Sequence, residues 1–169
     1  MLYLARSRNP ETEEQMATRK RTRRPFEARE SKIQGRGVFA TRAIPAGTRL
    51  IEYVGEVVSD EEADRRYPFE DDERHHTFLF RLDSGDAIDA APSRSIAKYI
   101  NHSCDPNAEA VEEDGRIFID ALRDIRPGEE LAYDYNYVLD ERHTAANKRL
   151  YPCNCGAKNC RGTILAKKR

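Results

Sequence analysis

A chain of 169 residues is one domain's worth of polypeptide, enough for a single hydrophobic core and too little for two. With 35% charged and 38% hydrophobic residues it is polar for its length, so part of it is expected to be tail or exposed loop. No apolar run approaches the roughly 18 residues of a membrane helix, and the apolar stretch within Met1–Arg8 is too short for a secretory signal, so the expected location is intracellular and reducing, with no membrane partner.

The net charge of −1 hides an asymmetry: residues 1–24 carry seven Lys or Arg against three acids, which leaves the remainder net acidic. Five of those cations lie in Arg19–Arg24, which reads either as a nucleic-acid contact or nuclear address, or as a solubilising disordered leader. Met16 stands just ahead of the run and is an alternative translation start. From Pro25 the texture changes to short β-type runs broken by turns. Val38–Ala40, Arg49–Val54, Thr77–Leu82 and Arg116–Asp120 read as strands, with turns at Pro45-Ala46-Gly47 and Pro127-Gly128. Ser59-Asp60-Glu61-Glu62 has the pattern of a capping box and predicts a short helix around 60–67. Glu61, Glu62, Glu70, Asp71, Asp72 and Glu73 either attract a basic peptide or are simply a solvated face, and His75-His76 lacks helical metal-ligand spacing and reads as solvent-facing. The result is a mainly β domain with a helical insert, without internal repeat or low-complexity linker.

The four cysteines carry the clearest chemical signal. Cys153, Cys155 and Cys160 cluster tightly, and a structural Zn²⁺ takes four thiolate or imidazole ligands in a tetrahedron. Cys104 is the remaining cysteine, so an all-cysteine site requires the C-terminal tail to fold back beside residues 101–104. The competing reading is two disulfides in one of three pairings, disfavoured in a reducing compartment. A further alternative makes Cys104 a nucleophile with His102 as its base, although no third orienting residue is evident.

Two segments point to a family. Tyr99-Ile100-Asn101-His102-Ser103-Cys104-Asp105-Pro106-Asn107, followed 23 residues later by Glu130-Leu131-Ala132-Tyr133-Asp134-Tyr135, resembles the two signature segments of the SET domain, the fold of most protein-lysine methyltransferases. Gly35-Arg36-Gly37-Val38-Phe39-Ala40 and Tyr53-Val54-Gly55-Glu56 match earlier motifs of that family in order, and Tyr151–Gly162 resembles the cysteine-bearing post-SET segment of its trithorax-related branch. The resemblance runs from about Glu27 to Gly162, and no pre-SET cysteine cluster is present. Alanine and arginine richness with short flanks would suit a stand-alone microbial member.

The resemblance implies a fold of small β-sheets around a pseudoknot, mainly β with short helices, with a C-terminal zinc-bound segment. Its division of the chain would be a basic disordered tail over 1–24, a SET domain over 25–137 and a post-SET segment over 138–169. It implies that S-adenosyl-L-methionine binds between Gly35, Arg36 and Gly37, the pair Asn101 and His102, and the post-SET tail with Asn154. Tyr53, Lys98, Tyr99 and Tyr135 would also lie near the cofactor, and Lys98 departs from the arginine frequent at its position, losing the planar fork of donors. Phe78, Phe80 and Tyr133 would line the lysine channel, Tyr135 would be the catalytic tyrosine, and Tyr133 would restrict the product to mono- or dimethyl-lysine. Zn²⁺ on Cys104, Cys153, Cys155 and Cys160 would be architectural, closing one wall of the site.

The implied substrate is a lysine on a basic protein, a histone tail or DNA-packaging protein. The implied place is the nucleus or chromosome if the protein is eukaryotic or is delivered to a host, or the cytoplasm and nucleoid if it is bacterial. Without the resemblance the same residues have plain readings: Gly-x-Gly as a turn, Asn101 as a turn residue, His102 as a satisfied core histidine, Phe80 as core, and Leu131–Tyr135 as a half-buried strand with both rings on one face. The functional alternative is a non-catalytic zinc-stapled module that binds nucleic acid or chromatin.

Overall fold

Phe26–Glu30 (β1) and Arg36–Ala40 (β2) form an antiparallel hairpin in register from Phe26 opposite Ala40 to Glu30 opposite Arg36. The computed structural model describes residues 24–68, 77–139 and 141–167; the basic run Arg19–Arg24 lies outside it but for Arg24, and Glu70–Glu73 and His75-His76 lie outside it entirely. The hairpin closes through the Ser31 N–H, which donates to the Gly35 carbonyl at 2.9 Å, with Gly35 at φ +42°, a left-handed conformation glycine adopts without a Cβ penalty.

β2 then pairs with Glu130–Tyr133 (β10), which also runs parallel to the two-residue strand Asn101–His102 (β7), giving a sheet of order β1-β2-β10-β7. A second sheet, β3-β9-β8, joins Arg49–Tyr53 (β3), Ala108–Glu113 (β8) and Arg116–Ala121 (β9). The third, β4-β6-β5, joins Glu56–Val58 (β4), Leu79–Arg81 (β5) and Ala87–Asp89 (β6). Helices are short: α1 (Asp60–Arg66), a 3₁₀ turn (Ile96–Tyr99) and α2 (Ala145–Leu150).

Alternation explains the core. Along β9, Ile117, Ile119 and Ala121 are buried while Phe118 and Asp120 are not, the period of a strand with one covered face. These residues meet Val38, Ile100, Ile125 and Leu131, and each such side chain removed from water contributes about 1.5–3 kcal/mol. On the open face, Arg49 and Arg116 lie over the Phe118 ring and pair with Glu113, Asp120 and Glu52, which covers the aromatic without burying it.

The mainly β expectation holds, with local differences. The strand expected over Thr77–Leu82 is confined to Leu79–Arg81; just before it the Phe78 carbonyl accepts both the Ala90 N–H, in register with the β6 pairing, and the Tyr53 hydroxyl. β3 ends at Tyr53, leaving Val54 exposed. β10 likewise stops at Tyr133, before Tyr135. The capping box forms by half: Ser59 Oγ accepts the Glu62 N–H at 3.2 Å, but the Glu62 carboxylate turns forward to Arg65 and Arg66, ion-pair partners at i+3 and i+4 that outcompete the reach back.

Candidate active site and metal centre

The parallel pairing of β10 with β7 sets Tyr133 opposite His102 and so assembles a row of rings. Centroid separations are 5.5 Å for Tyr53–Phe80, 6.3 Å for Phe80–Tyr133, 4.9 Å for Tyr133–Tyr135 and 5.3 Å for Tyr135–His102. The Tyr135 hydroxyl donates to the Ile100 carbonyl at 2.9 Å and the Tyr53 hydroxyl to the Phe78 carbonyl at 2.8 Å. Burial pushes Tyr53, Tyr133 and Tyr135 above the ordinary tyrosine range, and the Glu130 charge adds to this at Tyr135. All three rings therefore stay neutral at physiological pH, so Tyr135 is equipped to orient and polarise and is not a ready phenolate base.

A second group fixes the Gly-x-Gly loop. Asn101, 5% exposed, donates its side-chain amide to the Arg36 carbonyl at 3.0 Å, the Gln34 carbonyl at 3.4 Å and Glu130 Oε1 at 2.8 Å. Ser31 Oγ donates to both oxygens of the same carboxylate, at 2.8 and 2.9 Å. A Cβ on Gly37 would lie 2.1 Å from Glu130 Oε1, so the space beside Gly37 belongs to Glu130. Tyr99 lies between the Arg36 guanidinium, 4.7 Å from its centroid, and Phe78, edge-on at 6.1 Å. Lys98 directs its ammonium at the carbonyls of Ala90, Ala91 and Ser93 at 3.2, 2.8 and 2.7 Å, which engages all three donors and staples that loop.

His102 joins the two halves. Its Nδ1 accepts the Tyr135 backbone N–H at 3.1 Å, which places the ring proton on Nε2, 3.4 Å from Cys104 Sγ. Burial pushes its pKa down to about 4, against the opposing pull of Asp134, so the ring is neutral. This orientation overturns the nucleophile reading: the nitrogen facing Cys104 carries a proton, and the basic nitrogen is already engaged by the backbone.

The four sulfurs of Cys104, Cys153, Cys155 and Cys160 all lie within 4.8 Å of one another, and none is in a disulfide. Tetrahedral Zn–S bonds of about 2.3 Å put sulfurs about 3.8 Å apart, and Cys104 and Cys153 are separated by 3.8 Å. Backbone N–H groups converge on the sulfurs, Arg161 on Cys104 and Gly162 on Cys160, each at 3.3 Å. Burial raises the Cys104 and Cys153 thiols, while N–H groups of Cys104 and Ala157 and the neighbouring thiols lower Cys155 against burial, so Cys155 is the first of these three to become the thiolate a metal needs. The donor set fits one Zn²⁺. Asn154 is exposed between two of the ligands.

The SET domain family matches residues 35–136. The chain belongs to the SET-domain family. Over 136 residues, 78% of this SET protein, it is 44% identical to "Histone-lysine N-methyltransferase trr" of Drosophila melanogaster, of which that alignment covers 5%. It is 44% identical over 135 residues to human "Histone-lysine N-methyltransferase 2B", again 5% of the relative. It is 40% identical over 156 residues, 86% of this chain, to "Histone-lysine N-methyltransferase, H3 lysine-4 specific" of Aspergillus oryzae, covering 12% of it. The SET chain thus spans a small fraction of the length of these curated relatives.

Of the expected site residues, the SET fold brings Tyr53, Phe80, Tyr133, Tyr135 and His102 into the ring row and Arg36, Phe78, Tyr99 and Asn101 into the loop group, while Lys98 is turned to the 90–93 carbonyls and Asn154 lies exposed at the cysteine cluster. Glu130, Ser31, Asp134 and Arg161 were not singled out from sequence. Glu130 and Asp134 stand inside the quoted motif, but nothing in a one-dimensional pattern shows that their partners are Ser31 and Arg161.

Proposed function

We propose that this SET domain transfers a methyl group from S-adenosyl-L-methionine to the side-chain amine of a lysine in a basic protein, a histone or another chromatin or nucleoid protein, giving mainly mono- or dimethyl-lysine. The observation that carries the reading is the β7–β10 pairing, which holds Asn101 and His102 against Tyr133 and Tyr135 beside the Gly-x-Gly loop. The relatives named as histone-lysine methyltransferases support a histone and hence a nuclear or chromatin setting. No helix among the described residues is long and apolar enough to cross a membrane.

In this reading the cofactor, which supplies an electrophilic methyl on a sulfonium, is held by Gly35, Arg36, Gly37, Tyr53, Lys98, Tyr99, Asn101, His102, Tyr135 and Asn154. Lys98 contributes by shaping the 90–93 loop, since its own donors are engaged there. Phe78, Phe80 and Tyr133 form the lysine channel. A free lysine amine, with pKa about 10.4, is protonated at neutral pH and has no lone pair to attack. Burial in a slot walled by neutral rings disfavours the charged ammonium and so favours the neutral amine. Tyr135 orients the reacting centre, and zinc on Cys104, Cys153, Cys155 and Cys160 holds the post-SET wall. Residues 25–137 form the SET domain and 138–169 the post-SET segment.

The test is labelling of core histones and a host lysate with radiolabelled S-adenosyl-L-methionine. Wild-type protein labels a lysine, and Tyr135→Phe loses that labelling while still binding cofactor. Failure of the zinc-loaded wild type to bind cofactor would favour the non-catalytic binding module. Tyr133→Phe, which frees the volume of one hydroxyl, should shift the initial-rate product toward higher methylation by mass spectrometry; chiefly trimethyl-lysine from the wild type would sink the assignment of Tyr133.

A further inference from the structure

Arg161, like His102, touches both the cysteine cluster and the Tyr133–Tyr135 segment. Arg161 directly follows the ligand Cys160, and its backbone N–H donates to Cys104 Sγ at 3.3 Å. Its side chain, 13% exposed, grips Asp134 with two parallel bonds, Nη1 to Oδ2 at 2.6 Å and Nη2 to Oδ1 at 2.8 Å. Its buried Nε has no hydrogen-bond partner among the described residues, so Asp134 is the acceptor that holds the guanidinium in place. Asp134 stands between Tyr133 and Tyr135, accepts the Asn136 N–H at 3.0 Å, and lies 3.6 Å from His102 Nδ1. That nitrogen accepts the Tyr135 N–H.

We propose that Arg161 is a positioning residue that couples the four-cysteine cluster to the Tyr133–Tyr135 segment, so that metal loading and order at the candidate methyl-transfer site are thermodynamically linked. A metal that draws the sulfurs together locks the 160–162 backbone. The planar guanidinium then clamps Asp134, and the segment carrying both tyrosines cannot shift without breaking a charge-assisted fork in a part-buried setting. Linkage is reciprocal, so occupation of the tyrosine site must tighten metal binding by the same factor. This second consequence rests on the methyltransferase reading; the first does not.

The experiment uses the full chain and reads amide hydrogen exchange at Tyr133 and Tyr135 with zinc bound and after chelation. In the wild type, chelation should speed exchange at these amides by about 5-fold or more, the low end of ordinary coupling. Arg161→Lys, which keeps the charge but not the fork, and Asp134→Asn, which keeps the shape but not the charge, should show the faster exchange with one zinc still bound. The two changes together should do no more than either alone, because they break the same link. Wild-type protection at Tyr133 and Tyr135 in the zinc-loaded variants, or additive effects, would overturn the proposal. If Arg161→Lys fails to retain zinc, Asp134→Asn decides, since that side chain touches no sulfur.

A second arm measures zinc affinity by chelator competition with and without S-adenosylhomocysteine, which should tighten zinc in the wild type and lose most of that effect in both variants. Persistence of the tightening in the variants would also overturn the proposal. If S-adenosylhomocysteine does not bind the wild type, the methyltransferase reading falls while the exchange measurement still decides the role of Arg161.

Discussion

Gly37 carries no side chain where Glu130 reaches in to meet Ser31 and Asn101, and this one absence lets the turn between β1 and β2 and the strand β7 share a carboxylate of β10. An alanine at 37 should cost about 1–3 kcal/mol, the usual range for overpacking. Because the atom in the way is the end of a side chain, the cost should fall by at least about 1 kcal/mol in a Glu130→Ala background. Urea unfolding of the four proteins in this cycle checks it, and an equal cost in both backgrounds would show that Glu130 is not the obstacle. Gly55 gives the contrast: its Cβ would lie 2.2 Å from the Asp89 carbonyl oxygen, main chain that cannot swing away, so Gly55→Ala should cost more than Gly37→Ala. The glycine motif was legible in the sequence. Its neighbour was not, since the carboxylate that claims the space comes from the far end of the chain.

At the scale of elements, the helical insert is tied down by a carboxylate that sequence reasoning passed over. Asp89 at the end of β6 is 2% exposed and accepts from the Ala91 N–H, the Arg66 guanidinium and the Tyr67 hydroxyl at 2.9, 3.0 and 3.1 Å. Burial pushes Asp89 up, but the Ala91 N–H, Arg66 and Tyr67 together outweigh it and hold the carboxyl below its ordinary range. A carboxyl depressed in the folded state stabilises fully above its unfolded pKa of about 3.9, and the contribution is lost as pH falls through the lower folded value. Asp89→Asn should therefore lower stability at neutral pH and flatten its decline below about pH 4, as urea titrations from pH 3 to 6 would show. An unchanged acid slope in the variant would remove Asp89 from the account. The strands β3 and β9 were readable because alternation is a local property. β7, two residues long, has too few positions to show a period and exists because β10 lies alongside it.

Across the whole molecule, the last 17 described residues have little regular structure of their own and are held by isolated bridges, Tyr137 to Leu165 and Pro152 to Thr163, together with the cysteine cluster. A segment so poor in ladder hydrogen bonds depends on the metal for its order. Purified protein should carry about one zinc per chain by elemental analysis, and chelation should remove amide protection across 151–166, including the Ile164 N–H that bonds the Tyr151 carbonyl. Protection that survives in verified metal-free protein would show that packing of Tyr151, Thr163 and Leu165 suffices. Cys155→Ser should reproduce the effect of chelation, since a missing thiolate opens the tetrahedron.

Residue types and their local spacing determined on their own that the chain is mainly β, that its cysteines form a metal-type set, and that its motifs follow the order of the SET family. These are properties of short stretches, where periodicity and ligand chemistry act over a few residues. What each side chain does was decided by tertiary structure: that Asn101 and Glu130 secure the glycine loop, that Lys98 staples carbonyls, that His102 presents a protonated nitrogen to Cys104, and that Arg161 grips Asp134. A hydrogen bond requires donor and acceptor to come within about 3 Å with the right orientation, and for most of these pairs that distance is set by strands and loops folding together from distant parts of the chain.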